Sequence, residues 1–515
     1  DAGYKVVIVL AGAHKNLRSQ TQIRLEKDFL GFKTTDDSNG ERKRTGVGLL
    51  QNVSQMTDVI TSRADNGDFK RSVADNFSIT PGGNPLLFVI KKHVTVLKNL
   101  FEWVSWVAQN QGGTRILNVP LLMIDDECDH SSVDTGLQEF EGEEADPDYE
   151  PKAINKGIRK IIRAFGQSVY IGYTATPQAN TLIHDEGETE ECGEDLFPRS
   201  FIFSIPSPDN YVGPVRMFGL NSEENPGIIN AFVDLEDHAA SLRLSEEEGW
   251  MPPKHRIDHR PLYQGNSKVP PSLKEAIKVF ILSMTIRKLR GQENAHNSML
   301  IHVSHYIDVQ HRVKEQVEAE YENLRDRIQY GDGDGESVME LFHDVWQDKF
   351  VDRANDFEGY DLPDWQNVAE KIPESLRLIK FKEINGSAGD ILDYEHNSEA
   401  GLPLDAIIIG GNKLSRGLTL EGLTVSYFLR PARYYDTLMQ MGRWFGYREG
   451  YLDVCRIYTT ANLQNWFHHT SIAAEQIRDD FNTMVASGCT PREFGHRILN
   501  HPLMMVTSPT KMRHG

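Results

Sequence analysis

Short runs of almost wholly apolar residues, separated by longer helical stretches, set the strongest limit on how this chain can fold. Four lie early: Val6-Val7-Ile8-Val9-Leu10, Leu86 to Ile90, Pro120 to Ile124 and Val169 to Tyr173. Four more lie at Met299 to Val303, Ala406 to Ile409, Thr424 to Leu429 and Val454 to Tyr458. A strand with one wet face alternates apolar and polar residues. These runs do not, so both of their faces must be covered. Strands of that kind spaced by helices build parallel sheets, and two such series imply two α/β lobes.

The text between the series supplies the boundaries. Residues 1–203 form the expected first lobe, and 204–269 an irregular insertion rich in Pro, Gly and acids. Residues 270–460 form the second lobe, with a helical insertion at 306–372, and 461–515 a C-terminal helical segment. The 515 residues suit about three domain-sized units. Ser272 and Glu275 have capping-box spacing, Leu273, Ile277, Phe280, Ile281 and Met284 share one helical face, and Gly291 ends the helix. Val309, Val313 and Val317 repeat at a spacing of four in the insertion.

Charge narrows the partners. The net charge is −20, which opposes tight, nonspecific binding of nucleic acid. Glu139 to Glu150 and Asp185 to Asp195 each hold seven carboxylates and no base. Runs of that kind are solvated loops, and without their 14 charges the remainder carries −6. The four cysteines form no CxxC pair, which disfavours a disulfide framework or zinc knuckle and suits a reducing cytoplasm. No run reaches the ~20 apolar residues of a membrane span.

Four constellations carry chemistry. Leu121-Leu122-Met123-Ile124-Asp125-Asp126-Glu127-Cys128-Asp129-His130 is an apolar strand ending in carboxylates. One of these can hold Mg²⁺ and its neighbour can polarise a water that attacks a γ-phosphate. Val169 to Tyr173 ends in Thr174-Ala175-Thr176-Pro177, whose hydroxyls can hydrogen-bond those carboxylates. Asn412-Lys413-Leu414-Ser415-Arg416-Gly417-Leu418-Thr419 follows a second-lobe strand, and its glycine lets backbone approach phosphate or ribose closely. Tyr435 to Arg448 is a helix bearing Gln440, followed by Arg443 and Arg448. Each also has a plain structural reading: acids capping a helix, a Thr-Pro strand exit, a turn, and arginines stacked on aromatics.

In this order, and with Val6 to Gly12 at the start, the four resemble the ordered motifs of superfamily-two helicases. The match is closer to one branch, the Z-one domain family, which older usage labels an endonuclease. Asp125-Asp126-Glu127-Cys128-Asp129, Tyr173-Thr174-Ala175-Thr176-Pro177 and Met441-Gly442-Arg443-Trp444-Phe445-Gly446-Tyr447-Arg448 resemble its hallmarks. The resemblance implies two RecA-like lobes with ATP and Mg²⁺ between them. It makes Asp126, Glu127, Arg443 and Arg448 catalytic, with Asp126 on the metal and Thr174, Thr176, Gly417 and Gln440 at the nucleotide. Gly12, His14, Lys413, Ser415, Arg416 and Thr419 would grip nucleic acid. It further implies a DNA translocase of a bacterial restriction-like or anti-phage system, beside a MORC-type ATPase and nuclease subunits. Residues 1–515 contain no GxxxxGK[ST] loop, so that loop is expected upstream of Asp1. Arg448 follows Arg443 by five residues where related helicases use three, and Thr419 stands where relatives carry Asp. The rival readings are a degenerate adaptor docking proteins through its acidic insertions, and a metal-dependent endonuclease.

Overall fold

The computed structural model describes residues 3–12, 15–35, 42–50, 57–135, 140–141, 144–145, 152–183, 188–220, 227–228, 232–234, 237, 249–333, 335–357, 359–384, 394, 397, 401–411, 419–495, 498–499 and 501–507. The chain divides into two units. One comprises residues 1–204, 477–498 and 505–515, and the other residues 205–476 and 499–504. Each is built on one parallel sheet, giving two RecA-like lobes.

The first sheet contains β1 (Val6–Ala11), β2 (Asp58–Val59), β3 (Leu86–Ile90), β4 (Leu121–Asp126) and β5 (Ser168–Tyr173), in the order β2-β3-β1-β4-β5. All its pairings are parallel. Successive residues point to opposite faces, and both faces are covered. Val6, Ile8, Leu10, Phe88 and Met123 enter one core, while Val9, Leu87 and Val89 enter another. That two-sided burial is why the runs of β1 and β3 do not alternate. Strand β5, at the sheet edge, is instead partly exposed, contrary to the expectation from its apolar run. Helix α1 (Lys15–Leu25) follows β1, and α2 (Val94–Asn110) follows β3. Helix α2 buries Leu97, Leu100, Trp103 and Val104, with the Trp103 ring 5.8 Å from Phe88 and 6.1 Å from Phe69. Helix α3 (Ala153–Arg163) precedes β5.

The second sheet contains β6 (Phe232–Asp234), β7 (Asn297–His302), β8 (Lys380–Ile384), β9 (Asp405–Gly410), β10 (Leu423–Phe428) and β11 (Arg456–Thr459). Its order is β6-β11-β10-β7-β9-β8, again all parallel. Strands β7, β9, β10 and β11 are buried along their whole length.

Helix α4 (Pro271–Leu289) leads into this sheet. The expected capping box is not formed: Pro271 opens the helix, which places Ser272 inside the first turn. Ser272 instead bonds the Tyr427 hydroxyl at 2.9 Å, and Glu275 accepts from Tyr458 at 2.9 Å. The helix is also buried nearly all round, Val279, Leu282 and Ile286 included, which removes the single apolar face. Helix α5 (Ile307–Tyr330) buries Val309, Val313 and Val317 as their spacing predicts. Helices α6 (Val338–Trp346) and α7 (Trp365–Ser375) pack into the same core. Helix α8 (Tyr435–Met441) follows β10, and α9 (Ala461–Ser487) makes the C-terminal region helical.

Candidate active site

Register builds the first-lobe site. Ala11 pairs with Asp126 and Asp126 with Tyr173, so β1, β4 and β5 end at one level. Their next residues, Gly12, Glu127 and Thr174, therefore leave the carboxyl edge of the sheet together. That edge is where parallel sheets bind ligands. Gly12 has φ +60° and a side chain there would meet Leu17 Cδ1 at 2.7 Å, so the exit of β1 requires glycine.

The adjacent carboxylates have separate jobs. Asp125 is fully buried, pairs with Lys92 Nζ at 2.9 Å and accepts from the Tyr170 hydroxyl at 2.7 Å. Lys92, also buried, donates to the carbonyls of Asp126 and Glu127 at 2.7 Å each and of His130 at 3.1 Å. The acid loop is thus tied down by one buried ammonium. Asp126 lies at the exposed rim, its Oδ1 accepting from the Glu127 amide at 3.1 Å. Partial burial raises its carboxyl pKa, and Lys92 opposes that rise. Glu127 has φ +52°, a left-handed conformation uncommon for a side chain of its kind. Such backbone persists where the surroundings enforce it, and the Lys92 bonds do so here.

Asp129 is buried and accepts from Thr174 Oγ1 at 2.9 Å and Thr176 Oγ1 at 3.2 Å. The threonines therefore bond the acid loop through Asp129. Cys128 is a buried thiol whose pKa burial pushes up to about 12, with Asp125 and Asp129 adding to the rise, so it is no nucleophile.

In the second lobe Gln440 sits near the end of α8 and Arg443 in the turn beyond, both half-buried. Arg448 is buried, donates to the carbonyls of Trp444 at 2.9 Å and Tyr447 at 2.8 Å, and lies 5.8 Å from the Tyr451 ring centroid. Those bonds fold the turn onto itself. Thr419 is exposed before β10. His14, Lys413, Ser415, Arg416 and Gly417 lie outside the described residues.

Among the described residues no three of His, Cys, Asp or Glu converge as a metal cage. A rim carboxylate that makes no ion pair within 4 Å among the described residues still suits Mg²⁺, which takes one or two carboxylates and completes its shell with water and substrate phosphate. Lys92 was not foreseen. Its signal is the second of two lysines that follow an all-apolar strand, which becomes meaningful only once β3, β1 and β4 are known to be neighbours.

Residues 272–506 match the family model described as the Z1 domain. Over those residues the chain is similar to the Z1 domain. The match spans the second lobe from the start of α4, whereas the acid loop and the Thr174–Thr176 segment lie before it. No curated protein matches the chain. Among solved structures, a variant of S. cerevisiae Dbp5 bound to RNA and ADP BeF3 aligns at 9% identity, over 94% of this chain and 82% of that one, with TM-score 0.33. The ATP-dependent Type ISP restriction-modification enzyme LlaBIII bound to DNA aligns at 11% identity, over 98% of this chain and 28% of that one, with TM-score 0.31. Likeness at that level carries no argument about chemistry, and the two-lobed assignment rests on the sheets themselves. Among the described residues no helix is long and apolar enough to cross a membrane.

Proposed function

We propose that this protein is a nucleic-acid-dependent ATPase, a translocating motor of the helicase superfamily-two type. One observation carries the reading. The first sheet gathers Gly12, Asp126, Glu127 and the Thr174–Asp129–Thr176 link at its carboxyl edge, with Lys92 fixing the acid loop from below. A loop so held presents one rim carboxylate and its neighbour in a set geometry before any ligand arrives. Preorganisation of that kind is what phosphoryl transfer asks of a protein.

In this reading Asp126 would hold Mg²⁺, which would neutralise charge on the phosphates. Glu127 orients the attacking water and accepts its proton. Arg443 supplies the second lobe's positive charge, and Arg448 positions it by folding the turn. Thr174 and Thr176 register the state of the acid loop through Asp129 and relay it to the nucleic-acid grip, for which Gly12, His14, Lys413, Ser415, Arg416 and Thr419 remain the candidates, with Gly417 and Gln440 at the nucleotide. Contacts to phosphate are independent of base sequence, as a translocating motor requires. The setting proposed is a bacterial restriction-like or anti-phage system, with DNA as the track and MORC-type and nuclease subunits as partners.

The test is the Glu127→Gln substitution in the full-length protein. DNA-stimulated ATP hydrolysis should fall by about 10²-fold or more, the range assigned to positioned general bases, with the fold intact by circular dichroism. Unchanged turnover overturns the motor reading and favours the adaptor.

A further inference from the structure

A second charged group sits at the carboxyl edge of the second sheet, apart from the turn that bears Arg443. His302 ends β7 and pairs with Phe428 at the end of β10, so the segments that follow, Val303 to Tyr306 and Leu429 to Arg430, leave the sheet side by side. The Leu429 amide donates to the His302 carbonyl at 3.2 Å. Arg430 Nη1 then lies 3.3 Å from His302 Nε2. His302 is completely buried, and burial drives its pKa down to about 3, so the ring is neutral. A neutral ring that accepts at Nε2 carries its proton on Nδ1, and that buried nitrogen has no hydrogen-bond partner among the described residues.

The surroundings of Arg430 are cationic or neutral. His255 and His305 both feel its charge. His255 accepts from the Ser304 hydroxyl at 2.8 Å, its other nitrogen being spent on the Pro252 carbonyl at 2.9 Å. Among the described residues no carboxylate forms an ion pair with Arg430, and burial alone lowers its pKa, to about 10. By contrast Arg290, which is also largely buried, is held in a two-bond fork by Asp453 at 2.8 and 2.7 Å. A half-buried guanidinium without a counter-anion is costly in a folded protein unless an anion joins it. His305 is exposed and Arg430 only partly covered, so the group opens to solvent. Gly411, which follows β9, approaches His305 so closely that a side chain there would collide with Gln310 Nε2 and lie 3.2 Å from the His305 Cα.

We propose that Arg430, with Ser304 and His305 beside it and His302 behind it, forms a phosphate-binding site at the carboxyl edge of the second sheet. The planar guanidinium matches a phosphate oxygen pair, and the position is the ligand-binding end of a parallel sheet. The phosphate is either a nucleic-acid backbone diester or the phosphate of a free nucleotide. The choice of phosphate over other anions rests on the ATPase reading given above.

Binding of a fluorescein-labelled single-stranded oligonucleotide and of methylanthraniloyl-ATP, each to the full chain and each competed with inorganic phosphate, tests the site. Two variants serve, Arg430→Gln and His305→Glu. The second alters an exposed residue and sets a carboxylate beside Arg430 without disturbing the core. Each should weaken one probe about tenfold or more, a loss of roughly 1.4 kcal/mol. Loss of the oligonucleotide alone assigns a backbone phosphate, and loss of the nucleotide alone assigns a nucleotide phosphate. Loss of both keeps the site and makes it common to the two ligands. Binding of both probes to within about twofold of the unaltered chain, in both variants, overturns the site. The Glu127→Gln result is read separately. Loss of the hydrolysis reading leaves phosphate binding at Arg430 standing, and the reverse holds equally.

Discussion

In the first sheet the buried ion pair lies at the carboxyl ends of the strands, where Lys92 meets Asp125 at 2.9 Å and both side chains are wholly buried. In the second sheet the comparable pair lies at the amino ends. There Lys288 meets Asp405, the first residue of β9, at 2.9 Å, and Asp405 also accepts from Asn297 at 2.7 Å. Arg287 adds bonds to Asn297 Oδ1 at 2.6 Å and the His296 carbonyl at 2.8 Å. At its carboxyl ends the second sheet offers Arg430 and neutral histidines instead. The first lobe therefore spends its buried charge on shaping an acidic ligand edge. The second spends it on the far end and leaves a cation at the ligand edge. An acid-rich edge suits a metal ion, and a cationic edge suits an anion such as phosphate.

If the ion pair of the first lobe shapes the acid loop, breaking it should have the largest effect on stability. Lys92→Met strands Asp125 as a buried charge and frees three carbonyls. We expect a loss of about 3–5 kcal/mol, the range for removing one partner of a buried pair, measured by urea unfolding. A loss below about 1 kcal/mol would place Asp125 among carboxylates served by water. Asp405→Asn should cost less, about 1–3 kcal/mol by the same measurement. Its side chain keeps an acceptor for Asn297, and Lys288 is 12% exposed and can turn to solvent. An equal or larger loss at Asp405 would reverse the contrast between the sheets.

How much of this was legible in the sequence depends on what each element needs. Strands buried on both faces announce themselves, and β1, β3, β7, β9, β10 and β11 all come from non-alternating or nearly apolar runs, whereas β5 comes from such a run but lies at the sheet edge, partly exposed. Strand β8, Lys-Phe-Lys-Glu-Ile, is a charged edge strand whose two apolar residues, Phe381 and Ile384, stand three apart and fit no period of two, so in isolation it reads as loop. Strand β2 has two residues, too few for any period. The acids after β4 were visible as a group, but their division of labour was not. Strand parity sends Asp125 into the sheet and Asp126 to the rim, and parity counts only when the first paired residue is known. The backbone bonds of Arg448 were not legible for a related reason. Five donors in an aromatic turn can serve chemistry or backbone equally well, and only the positions of the Trp444 and Tyr447 carbonyls decide.

The smallest effect we expect separates those neighbouring carboxylates. Burial raises the Asp126 pKa in the folded chain, so the fold favours its neutral form. The sign follows from linkage. Its favourable contribution is complete below the unfolded value of about 3.9 and is lost as pH rises through the higher folded value. At neutral pH ionised Asp126 is therefore a burden on stability, lightened by Lys92 and by its exposure to solvent. Asp126→Asn removes the burden and should melt slightly above the unaltered chain at neutral pH. That advantage should shrink on acidification and be gone below about pH 4, where the natural side chain is itself protonated. The same substitution should abolish Mg²⁺-dependent hydrolysis. A gain in stability coupled to a loss of activity marks a residue kept for its ligand. Should Asp126→Asn instead melt lower at neutral pH, Asp126 would be a structural acid like Asp125, and the metal would have to be sought on Glu127.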